Sequence, residues 1–138
     1  MNREEKRNRT RARILAAASA EFAEHGYETA SLNTISQAGG ISKGIIYHYF
    51  DSKDALYITC LERCFRDLTD YITEHLPPEE DSGNLLSGYF DIRMEYFRGH
   101  RENAQLFCGA VLLPDIDRHE RDCRNILSIL MYGILSRE

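Results

Sequence analysis

"GGISKGIIYHYF", residues 39–50, sets two glycines, a serine and a lysine just ahead of a crowd of large side chains. Tyr47, His48 and Tyr49 carry polar tips on apolar rings, a combination that buried cores seldom collect. Gly39, Gly40 and Ile41 read as a sharp turn, with Ile41 able to plug into a core and a helix running from Lys43 to about Phe50. Ser42 is placed to cap that helix by accepting a hydrogen bond from its first turn. Just upstream, "TASLNTISQA", residues 29–38, offers Ser31 as the cap of another short helix over Leu32–Ala38. Two short helices across a glycine-containing turn make a helix-turn-helix pattern.

A second helix that reads DNA brings its N-terminal end to the major groove, where small, polar or basic residues are needed. Ser42, Lys43 and Gly44 meet that demand. Ser42 caps the helix and leaves amides toward a phosphate, Lys43 reaches a guanine edge or a phosphate, and Gly44 lets the backbone come close. Glycine inside a helix costs up to about 1 kcal/mol relative to alanine, which close approach explains better than stability does. Ile46 and Phe50, four apart, face inward. Tyr47, His48 and Tyr49 then fan over the other faces toward phosphate oxygens and base edges, and Lys53 flanks the same backbone. An amphipathic core helix accounts for Ile46 and Phe50, but not for three polar-tipped rings beside Ser42, Lys43 and Gly44.

Outward from this stretch nearly everything reads helical. Ile14, Ala18 and Phe22 recur at i, i+4 and i+8 between Thr10 and His25, and Gly26 supplies a stop. Asp51 and Ser52 break the third helix, and Ser52 caps a long fourth one to about His75. Its apolar face is Leu61, Cys64, Phe65, Leu68, Ile72 and Leu76. Pro77, Pro78 and the acidic stretch after them read as a linker. Helical segments follow over Leu85–Arg98, from beyond Gly99 to about Leu113, and from about Arg118 to the end. No strand alternation or internal repeat is present, so the expected fold class is all-α.

The formal net charge of −5 hides an asymmetry. Residues 1–69 hold 10 Lys and Arg against 9 Asp and Glu, whereas residues 70–138 hold 7 against 13. Six of those cations, Arg3, Lys6, Arg7, Arg9, Arg11 and Arg13, lie in the first thirteen residues, an arrangement suited to an anionic polymer. No apolar run approaches the roughly 20 residues of a membrane span, and the charged N-terminus is unlike a signal peptide. Cys60, Cys64, Cys108 and Cys123 lack framework spacing, so the chain is expected in the cytoplasm with reduced thiols. Cys60 and Cys64 share a helix face but have no histidine at ligand spacing, and core packing accounts better for Cys64. No nucleotide-binding glycine loop or nucleophile–base pair stands out. We expect no catalytic residue, no metal and no cofactor.

Residues 13–57, from "RILAAASAEF" through "GYETAS" and "ISKGIIYHYFDSK" to Leu56 and Tyr57, resemble the N-terminal domain of TetR/AcrR-type transcriptional regulators. The resemblance implies a three-helix DNA-binding head, a long connecting helix and a helical ligand-sensing body. It implies repression of transcription by a homodimer on a pseudo-palindromic operator, relieved by a small-molecule effector. Carried over by position, Lys43, Gly44, Ile45 and His48 face bases; Ser31, Thr34, Ser42, Tyr47, Tyr49 and Lys53 meet phosphates; Arg9 and Arg11 reach the adjacent groove or backbone. Two positions depart from the family pattern. Gly39 stands where alanine is commoner, predicting a looser turn, and Ile45 is more apolar than the usual threonine, pointing to a thymine methyl.

The expected organisation is a basic arm over 1–9, a helix-turn-helix domain over 10–55, and a connecting helix with a shortened regulatory and dimerisation body over 56–138. In the body Tyr89, Arg93, Tyr96 and Phe97 are the candidate ligand-binding residues, although rings at helical spacing also suit a core. The family usually continues beyond 138 residues. "ILSILMYGIL", residues 126–135, is apolar on nearly all sides and calls for a covering surface. The alternative function is therefore a truncated interaction protein that pairs with a full-length relative and lacks independent operator binding.

Overall fold

The computed structural model describes residues 2–76 and 85–112, with six α-helices and no strand among them. The linker from Pro77, the segment from Pro114 onward, His119 and Cys123 lie outside the described residues. The chain divides into two compact units, Met1–Leu61 and Glu62–Glu138. The helices are α1 (Arg3–Thr29), α2 (Leu32–Gly39), α3 (Lys43–Tyr49), α4 (Lys53–His75), α5 (Leu85–Gly99) and α6 (Arg101–Leu112).

In the first unit α1 packs on α2, and α2 on α3. The buried face of α1 is Ile14, Leu15, Ala18, Ser19 and Phe22, the stripe its periodicity predicts. Ile35, Ile41, Ile46 and Phe50 join it, with Leu56, Tyr57, Cys60 and Leu61 from the start of α4. Tyr57 is in contact with both Phe22 and Tyr27, at ring-centroid distances of 4.9 and 5.0 Å.

Helix α1 starts earlier than its apolar stripe does. It begins at Arg3, not near Thr10, because Asn2 caps it by accepting from the Glu5 N–H at 2.8 Å. Glu4 and Glu5 also place negative charge in the first turn, where the helix dipole favours it. The cationic stretch is thus a helix surface. Gly26 breaks the far end with φ 74 and ψ 171, and a last turn closes where the Ala30 N–H meets the Gly26 carbonyl.

The second unit is described by its own core. Leu68 and Ile72 of α4 and Tyr96 of α5 are buried together, with Tyr71, Leu76, Tyr89, Ile92, Phe97 and Phe107 half-covered around them. Helices α5 and α6 are separated at His100 and pack on each other. The anticipated apolar face of α4 is the one buried here, since Cys64 and Phe65 are also inside.

Candidate nucleic-acid interface

The turn between α2 and α3 closes as local chemistry dictates. Gly40 takes the left-handed conformation (φ 62, ψ 35) and its N–H bonds the Gln37 carbonyl, while the Ile41 N–H bonds the Ser36 carbonyl at 3.1 Å. That pair of bonds satisfies the open carbonyls at the end of α2. The Ser36 hydroxyl donates to the Ile41 carbonyl, and the Ile41 side chain is buried. Gly39 sits where this turn meets α1. A Cβ there would lie 3.3 Å from the Cβ of Ala17, so its absence lets α1 approach the turn closely. Arg13 adds a clamp from α1 by donating to the Gly39 carbonyl at 2.8 Å.

Both short helices are capped by the serines the sequence offers. Ser31 Oγ accepts from the N–H groups of Asn33 and Thr34 at 3.1 and 3.5 Å, and Ser42 Oγ accepts from the Ile45 N–H at 3.2 Å. Helix α3 then divides by face. Ile46 is 2% exposed and Phe50 is buried, while Lys43, Gly44 and His48 are exposed, with Ile45 at 44% and Tyr47 at 50%. Tyr49 is half-buried and meets the His48 ring edge-on at 5.4 Å. The open face of α3 therefore displays a cation, a bare backbone position, an aliphatic side chain, a phenol and an imidazole.

Around α3 the sequence-predicted residues separate into open and engaged groups. Thr34 and Arg9 are exposed. Arg11 is exposed but holds its guanidinium 5.3 Å over the Phe50 ring, at the C-terminal end of α3. Lys53 is half-buried: its Nζ donates to the Glu28 carbonyl at 3.4 Å and sits 4.7 Å over the Tyr27 ring. Sequence reasoning missed that anchoring, along with the Arg13 clamp, because both partners lie about 25 residues away in the chain.

In the second unit a recess of about 280 Å3 is lined by Asp67, Asp70, Tyr71, Glu74, Tyr96, His100 and Asn103. Of the four candidate ligand residues it includes Tyr96 alone. Tyr89 and Phe97 pack on the core, and Arg93 lies 4.9 Å over Phe90 and 5.6 Å over Phe107. The Arg93 Nε is buried with no hydrogen-bond partner among the described residues. Three rings, Tyr71, Tyr96 and His100, line the recess; His100 stacks on Tyr96, and His75, outside the lining, stacks on Tyr71, each at 4.0 Å. The Tyr96 hydroxyl accepts from Asn103 Nδ2 at 2.6 Å, and burial pushes its pKa above the usual 10.0. Asp67, Asp70 and Glu74 line the recess from one face of α4, a signal present in the sequence as the i, i+3, i+7 spacing.

Among the described residues no His, Cys, Asp and Glu group is arranged to hold a metal ion. Cys60 and Cys64 are buried and outside any disulfide; the Cys64 thiol donates to the Asn103 carbonyl at 3.3 Å. No helix among the described residues is long and apolar enough to cross a membrane.

The sequence model for bacterial regulatory proteins of the tetR family matches residues 14–60. The transcriptional repressor SCO4008 of Streptomyces coelicolor is 30% identical over 127 residues, covering 87% of this chain and 62% of that protein. The transcriptional regulator RutR of Escherichia coli strain K12 is 34% identical over 110 residues, covering 74% of this chain and 50% of RutR. This chain thus spans only about half to three fifths of the length of those two relatives. In fold, a TetR-like transcriptional regulator from Rhodococcus sp. RHA1 superposes with a TM-score of 0.70 at 19% identity, covering 86% of this chain and 62% of that one.

Proposed function

Since the chain carries at residues 14–60 the N-terminal domain of the bacterial tetR-family regulators, we propose that it is a sequence-specific DNA-binding transcriptional regulator, a ligand-relieved repressor. The observation that carries this reading is Gly44. A Cβ built there meets nothing within 4 Å except Ser42 Oγ at 3.9 Å, and the backbone φ is ordinary. Among the described residues nothing requires glycine at this position, yet glycine weakens the helix. Close approach of something outside the protein explains it, and a DNA groove edge fits the residues on either side.

In this reading Lys43, Gly44, Ile45 and His48 meet base edges. Ser31, Thr34, Ser42, Tyr47, Tyr49 and Lys53 hold the phosphates, with Arg9 and Arg11 reaching the neighbouring groove or backbone. The phosphate contacts supply affinity and the base contacts discrimination. Two copies of the domain, spaced by about one DNA turn (~34 Å) or more, read a pseudo-palindrome. The first nine residues act as the basic end of α1, the domain proper runs over 10–55, and 56–138 forms the regulatory and dimerisation body.

The effector binds the second unit, and the recess beside Tyr71 and Tyr96 is its candidate place. Three carboxylates on the rim favour a cationic over an anionic compound. An effector changes DNA affinity only as far as it binds one arrangement of the paired domains better than another.

Selection of bound duplexes from a random pool, followed by footprinting, tests the proposal. A recurrent two-fold sequence protected over both half-sites is expected. Weak, salt-sensitive binding without sequence preference overturns it.

A further inference from the structure

Ile45 is the large aliphatic that α3 leaves open to solvent. It is 44% exposed on a helix whose other large aliphatic, Ile46, is 2% exposed. Its backbone N–H is already engaged by Ser42 Oγ at 3.2 Å, so neither backbone nor side chain offers a hydrogen bond to a base. The branched side chain is held stiffly in a helix, and beside it Gly44 leaves open space. A groove edge that settles against Gly44 therefore meets a fixed aliphatic surface next to it. In the major groove the apolar feature on a base edge is the C5-methyl group of thymine.

We infer that Ile45 selects thymine in each operator half-site by packing on that methyl group. The inference rests on α3 being the reading helix and adds a base identity to it. Polar neighbours sharpen the assignment. Lys43 and His48 read hydrogen-bonding groups, whereas Ile45 disfavours the bare amino edge of cytosine, whose donor it cannot satisfy.

The test begins with the operator recovered by selection with the full chain. Each thymine is replaced singly by deoxyuracil, which deletes the methyl and leaves the hydrogen-bonding edge unchanged. One replacement per half-site is expected to weaken wild-type binding about fourfold, the worth of one buried methyl-sized group. Ile45→Ala, checked for native helicity by circular dichroism, loses about the square of that factor on the thymine operator, roughly sixteenfold because both half-sites lose the contact, and no longer distinguishes uracil at that position. Ile45→Val retains part of the distinction. If wild type ignores every uracil replacement, or Ile45→Ala keeps the same sensitivity, the inference is overturned while α3 still reads DNA. If no sequence is selected at all, the reading of α3 fails and this inference falls with it.

Discussion

Arg13 reaches from α1 to the turn before α3 and donates to the Gly39 carbonyl at 2.8 Å. An arginine counted among the basic residues of the N-terminal stretch thus has a structural role, holding the turn that leads into α3. Arg13→Ala is expected to destabilise the first unit by about 1 kcal/mol, the net worth of one such bond. Arg13→Lys separates geometry from charge, because it keeps the cation but loses the planar fork. Thermal melts should show the lysine variant closer to alanine than to wild type.

Gly44 sets stability against function. Gly44→Ala adds a methyl into open space on α3 and should stabilise the domain by up to about 1 kcal/mol. The same variant should bind its operator at least tenfold more weakly. Denaturation and gel-shift titration of one preparation measure both quantities; gains or losses in both together would contradict the close-approach reading.

Lys43 and Tyr47 share the open face of α3 and are expected to differ in kind. Lys43→Ala should weaken operator binding and relax discrimination at one base position, or else lower the salt slope by about one if its contact is a phosphate. Tyr47→Phe removes a hydroxyl from a ring that is 50% exposed, so folding should be unchanged while affinity drops across all sequences. Operator titration at several salt concentrations distinguishes the two, and unchanged affinity in both variants removes α3 from the interface.

Tyr96 gives the second unit an alkaline limit. Burial raises its pKa, so the folded state keeps the phenol proton to higher pH than the unfolded state does. That contribution is whole below about pH 10, the ordinary phenol value, and is lost as pH rises through the higher folded value. Alkaline unfolding of the chain should shift toward higher pH in Tyr96→Phe, apart from any change at neutral pH caused by losing the Asn103 hydrogen bond.

The legible parts of this molecule were the local ones. Ser31, Gly40 and Ser42 act within five residues of themselves, so caps, turn and both short helices can be read directly from their order. The burial of Ile46 beside the exposure of Ile45 follows from helical period. What escaped depended on distant partners. The Phe22–Tyr27–Tyr57 ring cluster and the Arg13–Gly39 bond join segments that no local period connects. The start of α1 escaped for a different reason: its first two turns are charged all round, and a capped helix end needs no apolar stripe. The recess was half visible, because its acidic face is periodic but its aromatic wall is assembled across α4 and α5.

Lys53 shows what such distant contacts do for recognition. Its ammonium is already held between the Glu28 carbonyl and the Tyr27 ring, so most of the rotamer freedom of a long side chain is given up when the domain folds. In the proposed interface a phosphate beside Lys53 would meet a cation already held in place, unlike the exposed Lys43. There Lys53 would mark a fixed position for the DNA backbone, and Lys43 would be the charge left to adapt to the sequence beside it.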